Sequence, residues 1–179
     1  MRTPLLAFLT LSLSLPLVAC GPEPVRGPVV LPEGAVPGEA EAFLAASLEA
    51  LGQRPEHEAQ EVEVRHILIG VKHPRLPGVS RSAEEARAQA ADLLQRLAAG
   101  EDMKTLVTGY SDDPPKPDAP GIYRMVLEGE GDPPAVMPRG LMVSAFGDVV
   151  WRLQVGEVGV AAHDRASSPF GYHIVKRLK

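Results

Sequence analysis

The chain has 179 residues but only one cysteine and eight aromatic residues (four Phe, three Tyr and one Trp). A lone cysteine, Cys20, excludes an intramolecular disulfide framework and any multi-cysteine zinc site. So few aromatics leave the core to aliphatic side chains. Basic charge is not in excess: 18 Lys and Arg stand against 23 Asp and Glu, a formal charge of −5. That balance argues against general nucleic-acid binding. The longest apolar stretch, Leu5–Val18, is too short to cross a hydrocarbon core of about 30 Å as a helix. Histidines 57, 66, 73, 163 and 173 form no HExxH-like pair, so no metal is expected. Gly129-Glu130-Gly131 lacks the third glycine of a dinucleotide fingerprint, and its acidic neighbours would repel phosphate. Gly78-Val79-Ser80-Arg81-Ser82 misses the last glycine of a nucleophile elbow and follows no strand. No cofactor is expected either.

What is present begins with proline and glycine. Prolines number 18 and glycines 17, about a fifth of the chain, and 45% of the residues are hydrophobic. This is below a low-complexity composition, so a folded core is expected. The first residues have one basic side chain, Arg2, then the apolar Leu5–Val18, then small residues. That is the pattern of a secretory signal over 1–19. Leu17-Val18-Ala19-Cys20-Gly21 resembles the lipobox of bacterial lipoproteins. The resemblance implies lipidation of Cys20 and attachment to the membrane through acyl chains. Gly21 is not the aspartate that often marks inner-membrane retention, which favours the periplasmic side of the outer membrane.

Residues 20–60 read as a tether. Gly21–Gly38 holds five prolines and four glycines, a composition of extended, semi-rigid chain. Ala42, Phe43, Ala46, Leu48 and Leu51 follow a helical spacing before Gly52. This segment is either a helix packed on the domain or a partly formed helix in the tether. Two basic and seven acidic residues give 21–60 a charge of −5, whereas fifteen basic and sixteen acidic residues give 61–179 a charge of −1. The acidity thus belongs to the tether.

The domain is expected over 61–179. Glu61–Ile69 is a strand by alternation and β-branched content. Val62, Val64, His66 and Leu68 share one face, and Ile67 and Ile69 share the other. Ser82-Ala83-Glu84-Glu85 is a capping box, and Ala86, Ala90, Leu93, Leu94 and Leu97 form the apolar stripe of the helix it opens. A second helix is expected from about Glu101 to Tyr110, with Met103, Leu106, Val107 and Tyr110 on one stripe. Asp113–Gly140 is proline-rich, with one short strand candidate, Ile122–Val126. A third helix fits Val143–Leu153, a turn leads into a strand near Val160, and Gly171–Arg177 is the last strand. The order predicts an α+β fold with a small, mostly antiparallel four-stranded sheet surrounded by helices. First and last strands often become neighbours, which would bring His66 and His173 together. From the residues alone that pair stays open between buried core groups and catalysts.

Five motifs between Val64 and Leu178 decide between these. They are Arg65-His66-Ile67-Leu68, Ala98-Ala99-Gly100-Glu101-Asp102-Met103, Tyr110-Ser111-Asp112-Asp113, Phe146 with Leu153-Gln154-Val155-Gly156-Glu157-Val158, and Phe170-Gly171-Tyr172-His173-Ile174-Val175. In this order they resemble the parvulin family of peptidyl-prolyl cis/trans isomerases. The resemblance implies that His66 and His173 are the two core histidines and that Asp113 is the acid facing the substrate amide. It implies that Met142 and Phe146 line the proline pocket, that Phe170 borders it, and that the Ser168 hydroxyl buttresses the histidine pair. It further implies a cofactor-free isomerase acting on proline-containing unfolded or nascent polypeptides of the cell envelope. Two alternatives are a parvulin-fold binding module without useful catalysis and a structural lipoprotein tied to one partner. One segment departs from the family pattern. Its Gly-Gly-Asp-Leu-Gly is here Ala119-Pro120-Gly121-Ile122-Tyr123. No basic triplet matches a phosphate-reading loop, so phospho-specificity is not expected.

Overall fold

The computed structural model describes residues 29–30, 39–129 and 131–179. The signal segment, Cys20 and most of the Pro/Gly-rich tether lie outside the described residues. Helix α1 (Ala40–Gly52) is followed by strand β1 (Glu61–Gly70), helices α2 (Ala83–Ala98) and α3 (Met103–Tyr110), and strands β2 (Ile122–Val126) and β3 (Met137–Pro138). A 3-10 turn (Arg139–Leu141), helix α4 (Ser144–Arg152) and strands β4 (Val158–Ala161) and β5 (Gly171–Arg177) complete the order.

The sheet has five strands in the order β3-β2-β1-β5-β4. β1 lies antiparallel to both β2 and β5, and β4 lies antiparallel to β5. β3 runs parallel to β2 through Met125↔Met137 and Val126↔Pro138. The sheet is therefore mixed and five-stranded, not four-stranded. A two-residue strand that includes a proline carries no alternation signal, so only its long-range pairing reveals it.

Each face of the sheet buries its own aliphatic cluster. Ile67, Ile69, Tyr172 and Ile174 pack with Phe43 and Leu44 of α1, the α2 stripe, and Met103 and Leu106 of α3. Val62, Val64, Met125 and Val175 pack under Phe146, Val149, Val150, Trp151 and Leu153 of the α4 segment. Successive residues of a strand point to opposite faces, so β1 supplies both clusters. The capping box forms as expected: Glu85 N donates to Ser82 Oγ at 3.2 Å, and Ser82 N donates to Glu85 Oε2 at 2.8 Å. The α3 stripe ends earlier than its spacing predicts, because Tyr110 is exposed at its outer end.

The segment expected to be either a packed or a partly formed helix is α1, and it packs. Phe43, Leu44, Ser47 and Leu51 are buried. The chain just before it joins the sheet: Val29 bridges Val158, Val30 N donates to Val158 O at 2.9 Å, and both valines are buried.

Candidate active site

The register of β1 and β5 pairs His66 with Val175 and Leu68 with His173. The two histidines are thus diagonal neighbours on one face. Their rings stack with centroids 5.1 Å apart, and His173 Nδ1 lies 3.1 Å from His66 Nε2. One of these atoms carries the shared proton. Burial pushes the pKa of each ring down to about 3. The charge of Lys116 adds to this at His66. At His173 the neighbouring ring lowers it further, while Asp113 acts in the opposite sense. Both rings are therefore neutral at neutral pH. Among the described residues neither His66 Nδ1 nor His173 Nε2 has a hydrogen-bond partner.

Two further rings enclose the pair. Phe146 of α4 packs edge-on to both histidines, at 5.2 and 5.5 Å. Tyr123 of β2 packs edge-on to His66 at 5.4 Å. Tyr123 faces this way because it pairs with Val64 of β1, two residues from His66.

The Tyr-Ser-Asp-Asp motif leaves α3 and clamps its loop to the end of β1. Leu68 N donates to Ser111 Oγ at 3.1 Å, and Asp112 N donates to Leu68 O at 2.8 Å. The Asp112 carboxylate accepts from Gly70 N at 2.8 Å and pairs with Arg81. A pair of aspartates after a helix would ordinarily read as a solvated turn, but Asp112 here is mostly buried and fully engaged. The clamp delivers Asp113 to Tyr123, whose hydroxyl donates to Asp113 Oδ2 at 2.7 Å. Lys116 Nζ sits 3.3 Å from the centroid of the Tyr123 ring and donates to Ile122 O at 3.2 Å. Burial and the Asp113 charge hold the Tyr123 phenol well above its ordinary pKa.

Gly121 is the one glycine left in the departing segment. Its φ is +66°, and a Cβ there would run into the carbonyl oxygen of His66. Its own carbonyl accepts from His66 N at 2.9 Å. This glycine lets the loop approach close enough to hold the backbone of the histidine strand.

The structure brings His66, His173, Phe146 and Asp113 together, with Tyr123 joining them. Phe146 is only 1% exposed, so it forms the floor of the cluster rather than an open wall. Met142 packs at the edge of the same cluster and lines a neighbouring cleft of about 350 Å³ with Leu127, Arg139, Ser144 and Asp148. Asp113 and Lys116 line another cleft, of about 470 Å³, with Pro114, Pro115 and Gly121. Phe170 lies toward the β1–α2 connection, edge-on to His73 at 4.9 Å. Ser168 corrects an expectation. Its hydroxyl donates to Gly171 O at 2.7 Å and bonds to neither histidine. A hydroxyl has one proton to give, and here it fixes the backbone at the start of β5, two residues before His173. Reading the residues alone missed Tyr123, Lys116 and the Arg81–Asp112 pair. Only the alternation that puts Tyr123 on the face of Met125 hinted at the first. Among the described residues no group of His, Cys, Asp and Glu side chains could hold a metal ion.

The sequence profile of the PPIC-type PPIASE domain matches residues 48–179. Chaperone SurA of Chromohalobacter salexigens is 35% identical over 131 residues, which are 72% of this chain and 25% of that protein. Foldase protein PrsA 4 of Bacillus cereus is 27% identical over 121 residues, 68% of this chain and 32% of that protein. The chain thus spans about a quarter to a third of the length of these relatives. Peptidyl-prolyl isomerase ESS1 from Candida albicans superposes with a TM-score of 0.48 at 22% identity, over 76% of this chain and 73% of that one. With the profile covering all five strands, helices α2 to α4 and both histidines, the chain belongs to the PPIC-type, or parvulin, family of peptidyl-prolyl cis/trans isomerase domains.

Proposed function

We propose that this protein catalyses cis/trans isomerisation of X–Pro bonds in unfolded polypeptides of a bacterial cell envelope. The observation that carries this reading is the neutral His66–His173 pair enclosed by Phe146 and Tyr123, with Asp113 tied to the same cluster. No covalent bond to the substrate is needed. Resonance gives the X–Pro bond a barrier of about 18–20 kcal/mol, and binding the twisted amide more tightly than the planar one lowers it. Met142, Phe146 and Phe170 take the pyrrolidine ring on the apolar side. The Asp113 carboxylate faces the amide and disfavours negative charge on its carbonyl oxygen, which weakens the resonance that keeps the amide flat. The histidines fix the geometry. With both rings neutral and sharing one hydrogen bond, they hold position rather than shuttle protons.

The rest of the chain fits this role. Residues 1–19 act as a signal, Cys20 as the lipidated residue, and the stretch between Cys20 and the docked Val29 as the tether to the membrane, with the outer membrane as the expected site. Replacing Cys20 by Ser is expected to leave the signal uncleaved, so that the unprocessed mass accumulates without acyl chains. Continued membrane association of a processed Cys20→Ser protein would remove the anchor from this account.

The decisive measurement is isomerisation of a proline peptide by the purified protein. A rate well above the uncatalysed one is expected, with a fall of about 10²-fold for Asp113→Ala, the scale of an electrostatic contribution. A background rate for the wild type would sink the enzymatic claim. A second reading is favoured by one observation: Tyr123 covers His66 where the family motif ends in glycine. It makes the domain a binding module for unfolded chains. That reading expects suppressed aggregation of an unfolded client together with a background isomerase rate.

A further inference from the structure

Tyr123 is the residue of this cluster that the family pattern does not supply. Where that pattern closes with glycine, this chain places a phenol, and the phenol makes three contacts at once. Its ring edge meets His66, its face carries the Lys116 ammonium, and its hydroxyl reaches Asp113 Oδ2 at 2.7 Å. The carboxylate has no other side-chain hydrogen bond among the described residues that is as short. Its backbone N–H is held by Ser111 Oγ at 3.3 Å, which places the residue but leaves the carboxylate free to turn toward the Lys116 side of the cleft.

We propose that Tyr123 is a positioning residue that aims the Asp113 carboxylate at the histidine side of the groove and holds Lys116 off it. The argument is geometric. Lys116 is the nearby cation able to neutralise Asp113 by direct pairing. Its Nζ is instead parked 3.3 Å from the Tyr123 ring centroid, with Ile122 O as acceptor. Cation–π attraction and that carbonyl replace the ion pair it would otherwise form. The phenol remains a donor because its environment opposes ionisation. The carboxylate therefore accepts the phenol's hydrogen bond at Oδ2 and has its second oxygen left for the substrate amide. This proposal rests on the isomerase reading and on the assignment of Asp113 within it.

The test is a double-mutant cycle on the full protein: wild type, Tyr123→Phe, Asp113→Ala and the double variant, with kcat and KM measured on one proline peptide. Tyr123→Phe keeps the ring and removes only the hydroxyl, so its thermal unfolding is expected within a few degrees of wild type. Its kcat is expected to fall about tenfold, equal to about 1.4 kcal/mol, with KM nearly unchanged. In the Asp113→Ala background the same substitution is expected to cost nothing more, because the group it positions is gone. Equal losses in both backgrounds would show that the Tyr123 hydroxyl acts independently of Asp113 and overturn the proposal. Wild-type kcat in Tyr123→Phe beside an impaired Asp113→Ala would overturn it while leaving the isomerase reading intact. A background rate in wild type, or no effect of Asp113→Ala, would remove the isomerase reading or the role of Asp113, and this proposal with it.

Discussion

Two histidines with the same sequence-level description as any buried imidazole become a defined device once their register is known. Their pKa values fall to about 3 because burial penalises the charged form, against about 6.5 for an unfolded histidine. Between those values the unfolded chain binds more protons than the folded one, so stability falls as pH drops from about 6.5 toward 3. Each ring is expected to contribute up to about 1.4 kcal/mol per pH unit in that window. Urea unfolding measured from pH 7 to pH 5, above the main carboxylate range, should show the slope, and His173→Gln should lessen it. The same depression predicts an isomerase rate without an inflection near pH 6.5. A proton-shuttling histidine of ordinary pKa would produce one. The histidines were legible in the sequence as a pair on two strands. Their neutrality was not, because burial depends on Phe146 and Tyr123 arriving from distant elements.

At the scale of elements, the site depends on how α3 ends. Ser111 and Asp112 fasten the loop to β1 through three hydrogen bonds, reinforced by the Arg81 pair. Asp112→Ala would orphan the N–H of Gly70 and release Arg81. A loss of about 2 kcal/mol in urea unfolding is expected, together with a drop in activity as Asp113 loosens. Ser82→Ala, at the α2 cap, should cost about 1 kcal/mol and leave the isomerisation rate at its wild-type level. β5 begins at Gly171, with φ +147°, where a Cβ would strike the carbonyl oxygen of Ile69. Gly171→Ala is therefore expected to be worse than either, destabilising by more than about 3 kcal/mol in the same assay. The capping box and the helix stripes were legible locally because caps and stripes are local. The Ser111–Asp112 clamp was not, since its partners lie some forty positions back in the chain.

At the scale of the whole molecule, the sheet is shared between two cores, and the chain preceding α1 takes part in both. Val29 joins the cluster of α1 and α2, and Val30 joins the cluster under α4. Together they cover the outer edge of β4, which would otherwise be an unpaired strand edge. Val30→Ala should lower the urea midpoint by the equivalent of about 2 kcal/mol. An unchanged midpoint would mean that this segment does not hold β4 in solution. If Cys20 is lipidated, the eight residues between it and the docked Val29 can span at most about 30 Å, so the domain stays close to the membrane surface.

His66, His173 and Asp113 were marked as site residues only by the resemblance that the five motifs carry in order, whereas periodicity and capping signals were enough to give an α+β domain with its main helices and strands. These follow from local rules, in which a side chain's face and a helix's start depend on near neighbours. Tertiary structure alone decided the fifth strand, the docking of α1 and Val29–Val30, the turn of the Ser168 hydroxyl toward Gly171, and the place of Tyr123 between Asp113 and the histidines. Each of these is a contact between residues that are neighbours only through the fold. No pattern in a short window encodes such a pairing, because its energy exists only when both partners are already in place.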